Sequence, residues 1–337
     1  MNVNTCLANP VMYNILDLMK QILITDSLFI FPEHEQQLKD AGYRVERLDK
    51  PDATEDELIE AVQGKSGYIL GGIEQVTERV IAAADMLEAI VFTGTGYKGM
   101  IPAWKQATDR GIAIANVPDG PTQAVAEWSI AAALAMTRGL FDLARTGDKR
   151  FMTTTGLEGS TIGIIGLGCI GGRIAEMAHV FRPSEMLYYS THRHADKEQM
   201  FGLKYQEMAD VLQKSDVVFL CVPDDSGKDF FSYEQFAQMK QGALLVSFMH
   251  TGIINPDALY KALRAGKVRA ASDYTMDKRF DDFPLSTWYS FNASNAFNTN
   301  PALQYTSDEA VKSLINLLKT GEDKNLVNLA YKQHRRQ

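Results

Sequence analysis

Three glycines carry the most specific chemistry in this sequence. Gly166, Gly168 and Gly171 make a G-x-G-x-x-G turn that follows the apolar run "TIGII" and opens an apolar helical segment over 170–181. In that setting Gly166 permits a tight turn, Gly168 lets the backbone approach a diphosphate, and Gly171 lets helix and strand pack closely. The helix start then aims its free N–H groups and the positive end of its dipole at the anion. The chemistry expected is dinucleotide binding, with Cys169 and Ile170 on the turn itself.

About twenty residues on, an acidic side chain would accept hydrogen bonds from the adenosine ribose. Here the next apolar run ends in Ser190, followed by Thr191, His192, Arg193 and His194. No carboxylate stands in that stretch to repel a 2'-phosphate, and hydroxyls with a guanidinium suit one, because charge-assisted Arg–phosphate bonds are strong. NADP is therefore favoured over NAD, and NAD stays possible if these are simply solvated loop residues. Cys221, Val222 and Pro223 at the end of "DVVFLCV" and Met249 after "LLVSF" are further candidate cofactor-binding positions. Cys221 ends a buried strand and reads as packing, not as a nucleophile.

Holding such a turn requires a parallel sheet. From Gln21 the chain alternates apolar runs with helical patterns, from "QILITD" and "EHEQQLKDAG" through "SGYILGG" and "LEAIVFTG" to "IAIANVP" at 112–118. A second β-then-α series starts at Thr161 and carries the glycine turn. This rhythm specifies an α/β fold of two doubly wound parallel-sheet domains. Between them, 122–144 reads as one long helix, without a breaker until Gly139, whose apolar face is too wide for one contact; it is expected to bridge domains or to mediate homodimerisation. The closing "SDEAVKSLINLLKTGE" is an amphipathic helix expected to dock back on the first domain. Residues 1–18 precede the first such pattern and read as an N-terminal extension.

Length and composition agree with this division. At 337 residues the chain suits about two domains. A hydrophobic share of 45% with 23% charged residues is that of an ordinary globular protein. A formal charge of -8 speaks against a nucleic-acid partner, which needs clustered Lys and Arg. Cys6, Cys169 and Cys221 are scattered, so neither a disulfide framework nor a structural metal site is expected. No apolar run reaches the roughly 18 residues of a membrane span, and the start lacks a signal-peptide pattern, so a cytoplasmic protein is expected.

In order along the chain, "FTGTGYKGM", "DRGIAIANVP", "AVAEWSIAAALAMTR", "TIGIIGLGCIGGRIA", "SDVVFLCVPDD", "MKQGALLV", "NPDALYKALRAGKV" and "KNLVN" resemble the signature stretches of the D-isomer-specific 2-hydroxyacid dehydrogenase family. The resemblance implies a flavodoxin-like substrate domain made from 19–118 plus 298–330, with the Rossmann domain 119–297 inserted into it and an active site in the cleft at their hinge. It implies an NAD(P)-dependent dehydrogenase. It also implies that Asp273 holds the nicotinamide carboxamide and that Gly71, Gly72, Thr95 and Gly96 offer backbone amides to a substrate carboxylate.

The family's Arg, Glu and His do not carry over. His250 stands at the Arg position, Lys278 beside Asp277 at the Glu position, and Ser294 or Asn295 at the proton-relay His position; Lys98 stands where the family usually has Asp. There is no Glu between Glu234 and Glu309 and no His between His250 and His334, so the usual dyad cannot form there. General acid–base help is worth about 10²- to 10⁴-fold and a charged clamp roughly 1.5–3 kcal/mol. Ordinary 2-hydroxyacid oxidation is therefore expected to run about 10³- to 10⁶-fold slower than the family norm. Lys98, His250 and Lys278 can ring a small anionic substrate, with His250 or Lys278 as proton donor, or they are solvated rim residues of a decayed site. Three functions follow: an oxidoreductase with a non-standard catalytic set, a catalytically silent dinucleotide sensor, and a redox-neutral biosynthetic enzyme that keeps bound cofactor. Fold alone does not choose among them.

Overall fold

In a computed structural model the described residues are 19–25, 30–50, 53–147, 153–249, 252–290 and 295–335; the segment 1–18, read as an extension, lies outside them. The chain divides into two compact units, one ending at Pro118 and resuming at Leu303, the other running from Asp119 to Ala302.

The first unit is built from β1 (Gln21–Thr25), α1 (Pro32–Asp40), β2 (Arg44–Leu48), α2 (Glu55–Ala61), β3 (Lys65–Leu70), α3 (Glu78–Ala83), β4 (Ala89–Phe92), α4 (Tyr97–Met100), α5 (Trp104–Asp109) and β5 (Ala113–Asn116). All strands run parallel in the order β2-β1-β3-β4-β5. Ile22, Leu23 and Ile24 of β1 are wholly buried, the mark of a central strand covered on both faces. Helix starts are set locally: Thr54 accepts from the Glu57 backbone while the Glu57 carboxylate returns to Thr54.

The second unit contains α6 (Asp119–Thr137), α7 (Leu140–Thr146), β6 (Thr161–Ile165), α8 (Cys169–His179), β7 (Glu185–Tyr189), α9 (Ala195–Phe201), β8 (Leu203–Tyr205), α10 (Met208–Lys214), β9 (Val217–Leu220), α11 (Tyr233–Gln238), β10 (Ala243–Ser247), α12 (Pro256–Arg264), β11 (Val268–Ser272) and β12 (Trp288–Ser290). Strands β6 to β12 are parallel, in the order β12-β11-β10-β9-β6-β7-β8. The edge strands β8 and β12 have three residues each, too few to show a period in sequence.

The single helix expected over 122–144 is two. α6 stops at Thr137, and Gly139 takes φ +66°, a left-handed conformation that glycine reaches without a Cβ penalty and that ends a helix. The width of its apolar face is accounted for within the unit, where Ala126, Ile130, Ala133 and Met136 pack with Ile162, Ile164 and Ile174.

α13 (Asn300–Thr320) returns to the first sheet, packing Val311, Leu314 and Leu318 against Ile22, Ile24 and Ile69. Gly67 makes room for it, since a Cβ there would come within 3.0 Å of Leu314. The tail is pinned by Asn328, which donates to Thr108 Oγ1 and the Ile112 carbonyl at 2.9 Å and accepts from Ile114 N at 2.7 Å. No helix among the described residues is long and apolar enough to cross a membrane, and no His, Cys, Asp and Glu group there can hold a metal ion.

Candidate dinucleotide site

The glycine turn leaves β6 and enters α8. Gly166 takes φ +97°, and a Cβ on it would sit 2.3 Å from the Cys221 carbonyl oxygen. Its N–H donates to the Tyr189 carbonyl at 2.8 Å, tying the turn to the end of β7. A Cβ on Gly171 would meet the Gly166 carbonyl oxygen at 2.1 Å, so turn and helix touch backbone to backbone. Gly168 differs: it is the exposed N-cap of α8, with nothing among the described residues within 4 Å of its would-be Cβ. Among the described residues no side chain caps this helix start. The first-turn amides, those of the exposed Cys169, the half-buried Ile170 and the buried Gly171, are therefore available to an anion brought over Gly168, and the residues present fit a dinucleotide diphosphate.

Beyond β7, Ser190 is half-buried and Thr191 and Arg193 are exposed. The loop wraps the buried Tyr188, whose hydroxyl accepts from His194 N at 2.9 Å and donates to Glu198 at 2.6 Å. Arg193 grips the same carboxylate with two bonds, Nε to Oε1 at 2.8 Å and Nη2 to Oε2 at 2.9 Å. The expectation of a carboxylate-free corner is thus corrected: α9 folds Glu198 back from five positions beyond Arg193. The Arg193 guanidinium, and then Tyr188, hold that carboxyl down at about 2. A fourth glycine, Gly172, and Lys197 also belong to this corner. Lys197 donates to the Leu167 and Gly168 carbonyls at 3.1 and 3.2 Å. The only sequence sign of these residues was the doubled glycine in "GCIGG".

On the other side of β6, the candidate positions lie at the ends of β9 and β10. Cys221 is half-buried against the cluster around Phe219, Val222 is buried and Pro223 exposed. Burial pushes the Cys221 thiol up from its ordinary range, which removes it as a nucleophile near neutral pH. Met249 is buried, its N–H donating to Ser247 Oγ at 3.2 Å.

Asp273 follows β11 and is only 1% exposed. Its carboxylate accepts the backbone N–H of Asn295 at 2.9 Å and that of Ala296 at 3.1 Å. The structure thus joins two sequence candidates in one hydrogen-bonded turn. Lys278 is exposed on the short turn Lys278–Phe280, and no hydrogen bond or ion pair joins it to Asp273 or Asn295 among the described residues. Its neighbour Asp277 caps that turn and pairs with Arg279, which lowers its carboxyl from the ordinary value. His250 and Ser294 lie outside the described residues.

In the first unit, Gly71 and Gly72 follow β3, and Thr95 and Gly96 follow the adjacent β4. The two loops are stitched together by Thr93, whose N–H and hydroxyl both reach the Leu70 carbonyl, at 3.1 and 3.2 Å. Asn116 holds the Thr95 carbonyl at 2.9 Å, and the Thr95 hydroxyl donates to Pro118 O at 3.2 Å. Lys98 is exposed on α4, its Nζ 5.7 Å from the Trp104 ring centre.

Residues 130–295 match the model of the D-isomer specific 2-hydroxyacid dehydrogenase NAD binding domain. The chain is 28% identical over 277 residues to the D-3-phosphoglycerate dehydrogenase of Methanocaldococcus jannaschii, which covers 80% of this chain and 51% of that one. It is 30% identical over 262 residues to the glyoxylate reductase of Aeropyrum pernix, covering 72% and 76% of the two chains. The chain spans about half the length of the phosphoglycerate dehydrogenases it matches. In fold it is similar to an NADPH-dependent glyoxylate/hydroxypyruvate reductase of Sinorhizobium meliloti solved with NADP and malonate, with a TM-score of 0.77 at 22% identity over 94% of this chain and 99% of that one.

Proposed function

Because this chain belongs to the D-isomer-specific 2-hydroxyacid dehydrogenase family, we propose that it is an NAD(P)-dependent oxidoreductase acting on a small anionic hydroxy or keto compound. The observation that carries this reading is the open Gly168 at an uncapped helix start, between two glycines fixed by backbone contact.

When bound, a nicotinamide coenzyme supplies the hydride. The amides of Cys169, Ile170 and Gly171 hold its diphosphate, and Ser190, Thr191 and Arg193 take its adenosine end. Cys221, Val222, Pro223 and Met249 exclude water from the nicotinamide end. Asp273 acts there through the Asn295–Ala296 turn that it fixes. The amides of Gly71, Gly72, Thr95 and Gly96 take the substrate carboxylate, and Lys98 adds positive charge at the same sheet end. Asn295 can donate a hydrogen bond to a carbonyl oxygen but cannot give up a proton to it. The proton therefore falls to His250 or Lys278.

NADP is the favoured coenzyme. Support comes from the Ser190 and Thr191 hydroxyls and from the neutralisation of Glu198 by Arg193. The reading includes a homodimer through 122–144, where Leu140 remains 52% exposed; light scattering of Leu140→Glu would give a monomer if that contact exists.

The test of function mixes the purified protein with NADPH and a panel of 2-keto acids and aldehydes, following loss of the reduced-coenzyme absorbance. Turnover with a panel member supports the oxidoreductase. Tight coenzyme binding without turnover, unchanged in His250→Ala and Lys278→Ala, would replace it with the sensor reading.

A further inference from the structure

We propose that Lys197 is the cation that selects a 2'-phosphorylated coenzyme, and that Gly172 is the notch that seats it. The inference rests on the dinucleotide reading above and adds a residue outside both the G-x-G-x-x-G turn and the loop after β7.

Gly172 lies buried in the first turns of α8 with ordinary helical backbone, so no positive φ calls for a glycine there. Glycine inside a helix is unfavourable relative to alanine. What the missing side chain permits is the approach of Lys197: a Cβ on Gly172 would lie 2.7 Å from its Nζ and 3.1 Å from its Cε. The lysine stem is thus laid along the flank of α8, with the ammonium at the glycine turn.

The ammonium uses two of its three donors on the Leu167 and Gly168 carbonyls, at 3.1 and 3.2 Å. Both acceptors are neutral, and among the described residues no carboxylate pairs with Lys197. Arg193 is in the opposite condition, with its charge matched by Glu198 through two bonds. The cation of this corner left without a carboxylate partner among the described residues is therefore Lys197, not the arginine that the sequence singles out.

Position decides which phosphate it serves. The diphosphate is served by the first-turn amides of α8, whereas Lys197 arrives on α9, directly after the loop where the ribose 2'-position is read. A 2'-phosphate carries about −1.5 to −2 charges at neutral pH where NADH has a neutral hydroxyl. The third donor of Lys197 thus discriminates between the coenzymes.

The experiment is a calorimetric titration of the full-length protein with NADPH and with NADH, for wild type, Lys197→Met, Lys197→Arg and Gly172→Ala, each checked by melting temperature. Lys197→Met is expected to weaken NADPH roughly 10- to 100-fold, the range for a hydrogen bond to a charged group, and NADH by no more than about 2-fold. Lys197→Arg restores most of the preference, and Gly172→Ala weakens NADPH in the same direction without adding to Lys197→Met. Equal weakening of both coenzymes, no weakening of either, or a wild-type protein with no preference for NADPH overturns the proposal. Failure of the dinucleotide reading itself looks different: wild type then gives no heat with NADH or NADPH.

Discussion

Asp273 Oδ1 accepts the backbone N–H of Asn295 at 2.9 Å, and both its oxygens lie 3.1 Å from the N–H of Ala296. A buried carboxylate at the end of β11 thus fixes the turn that carries one of the two candidates for the family's proton-relay position. Replacing Asp273 by Ala leaves two backbone donors without that acceptor. The loss is expected to be about 1.5–3 kcal/mol, the range for hydrogen bonds to a charged group, read as a fall in melting temperature of several degrees. Asp273→Asn keeps one acceptor oxygen and should lose less. A melting temperature unchanged in Asp273→Ala would remove the turn-fixing role.

The glycine turn separates stability from binding. Gly166→Ala forces a Cβ onto a backbone at φ +97° and against Cys221 O. The backbone conformation alone should cost about 1–3 kcal/mol, and Gly171→Ala, at 2.1 Å from Gly166 O, should be at least as damaging. Thermal melts check both, and a stable Gly171→Ala would contradict the close packing of α8 on the turn.

Glu198 is the carboxylate that the linear reading did not find, and its ionisation sets a pH prediction. Its carboxyl is lowered to about 2 by Arg193 and Tyr188. Since the folded value lies below the ordinary 4.5, the pair's contribution is complete above that ordinary value and is lost progressively as pH falls from there through about 2. Glu198→Gln releases Arg193 from its partner and should strengthen NADPH. In the coenzyme-free protein the difference in melting temperature between Glu198→Gln and wild type should be nearly the same at pH 5 and pH 8, because Glu198 is ionised at both. A difference that shrinks toward pH 5 would show that the pair is already protonating. Arg193→Ala should weaken NADPH more than NADH; equal weakening would take Arg193 out of coenzyme selection.

The replaced catalytic set predicts slow chemistry. If His250 or Lys278 is the proton donor, its alanine variant should lower kcat by about 10²- to 10⁴-fold while NADPH affinity holds. Single-turnover rates with the best substrate of the panel measure this. Full turnover in both variants would leave the proton to another group.

The parallel sheets, the glycine turn and the returning last helix were legible because each depends on local pattern: buried β-branched runs, a turn that only glycine can make, and one apolar stripe. What escaped was set by tertiary geometry. Glu198 is separated from Arg193 by a loop and a helical turn, and only the packing of α9 brings their side chains together. Lys197 and Gly172 meet across two helices 25 positions apart in sequence, which no periodicity records. The long helix over 122–144 was read through Gly139 because its alanines and leucines are strong helix formers, while the stop depends on one left-handed glycine. Strands of three residues, such as β8 and β12, carry too little pattern to read at all.

The most direct measurement is calorimetry of wild type and Gly168→Val with NAD+, NADH, NADP+ and NADPH. Gly168 has open space around it, so the variant should melt as wild type does while its side chain occupies the place of the diphosphate. Saturable heat in wild type that disappears in the variant is the expected result. No heat with any of the four coenzymes, or undiminished binding in Gly168→Val, would contradict the account.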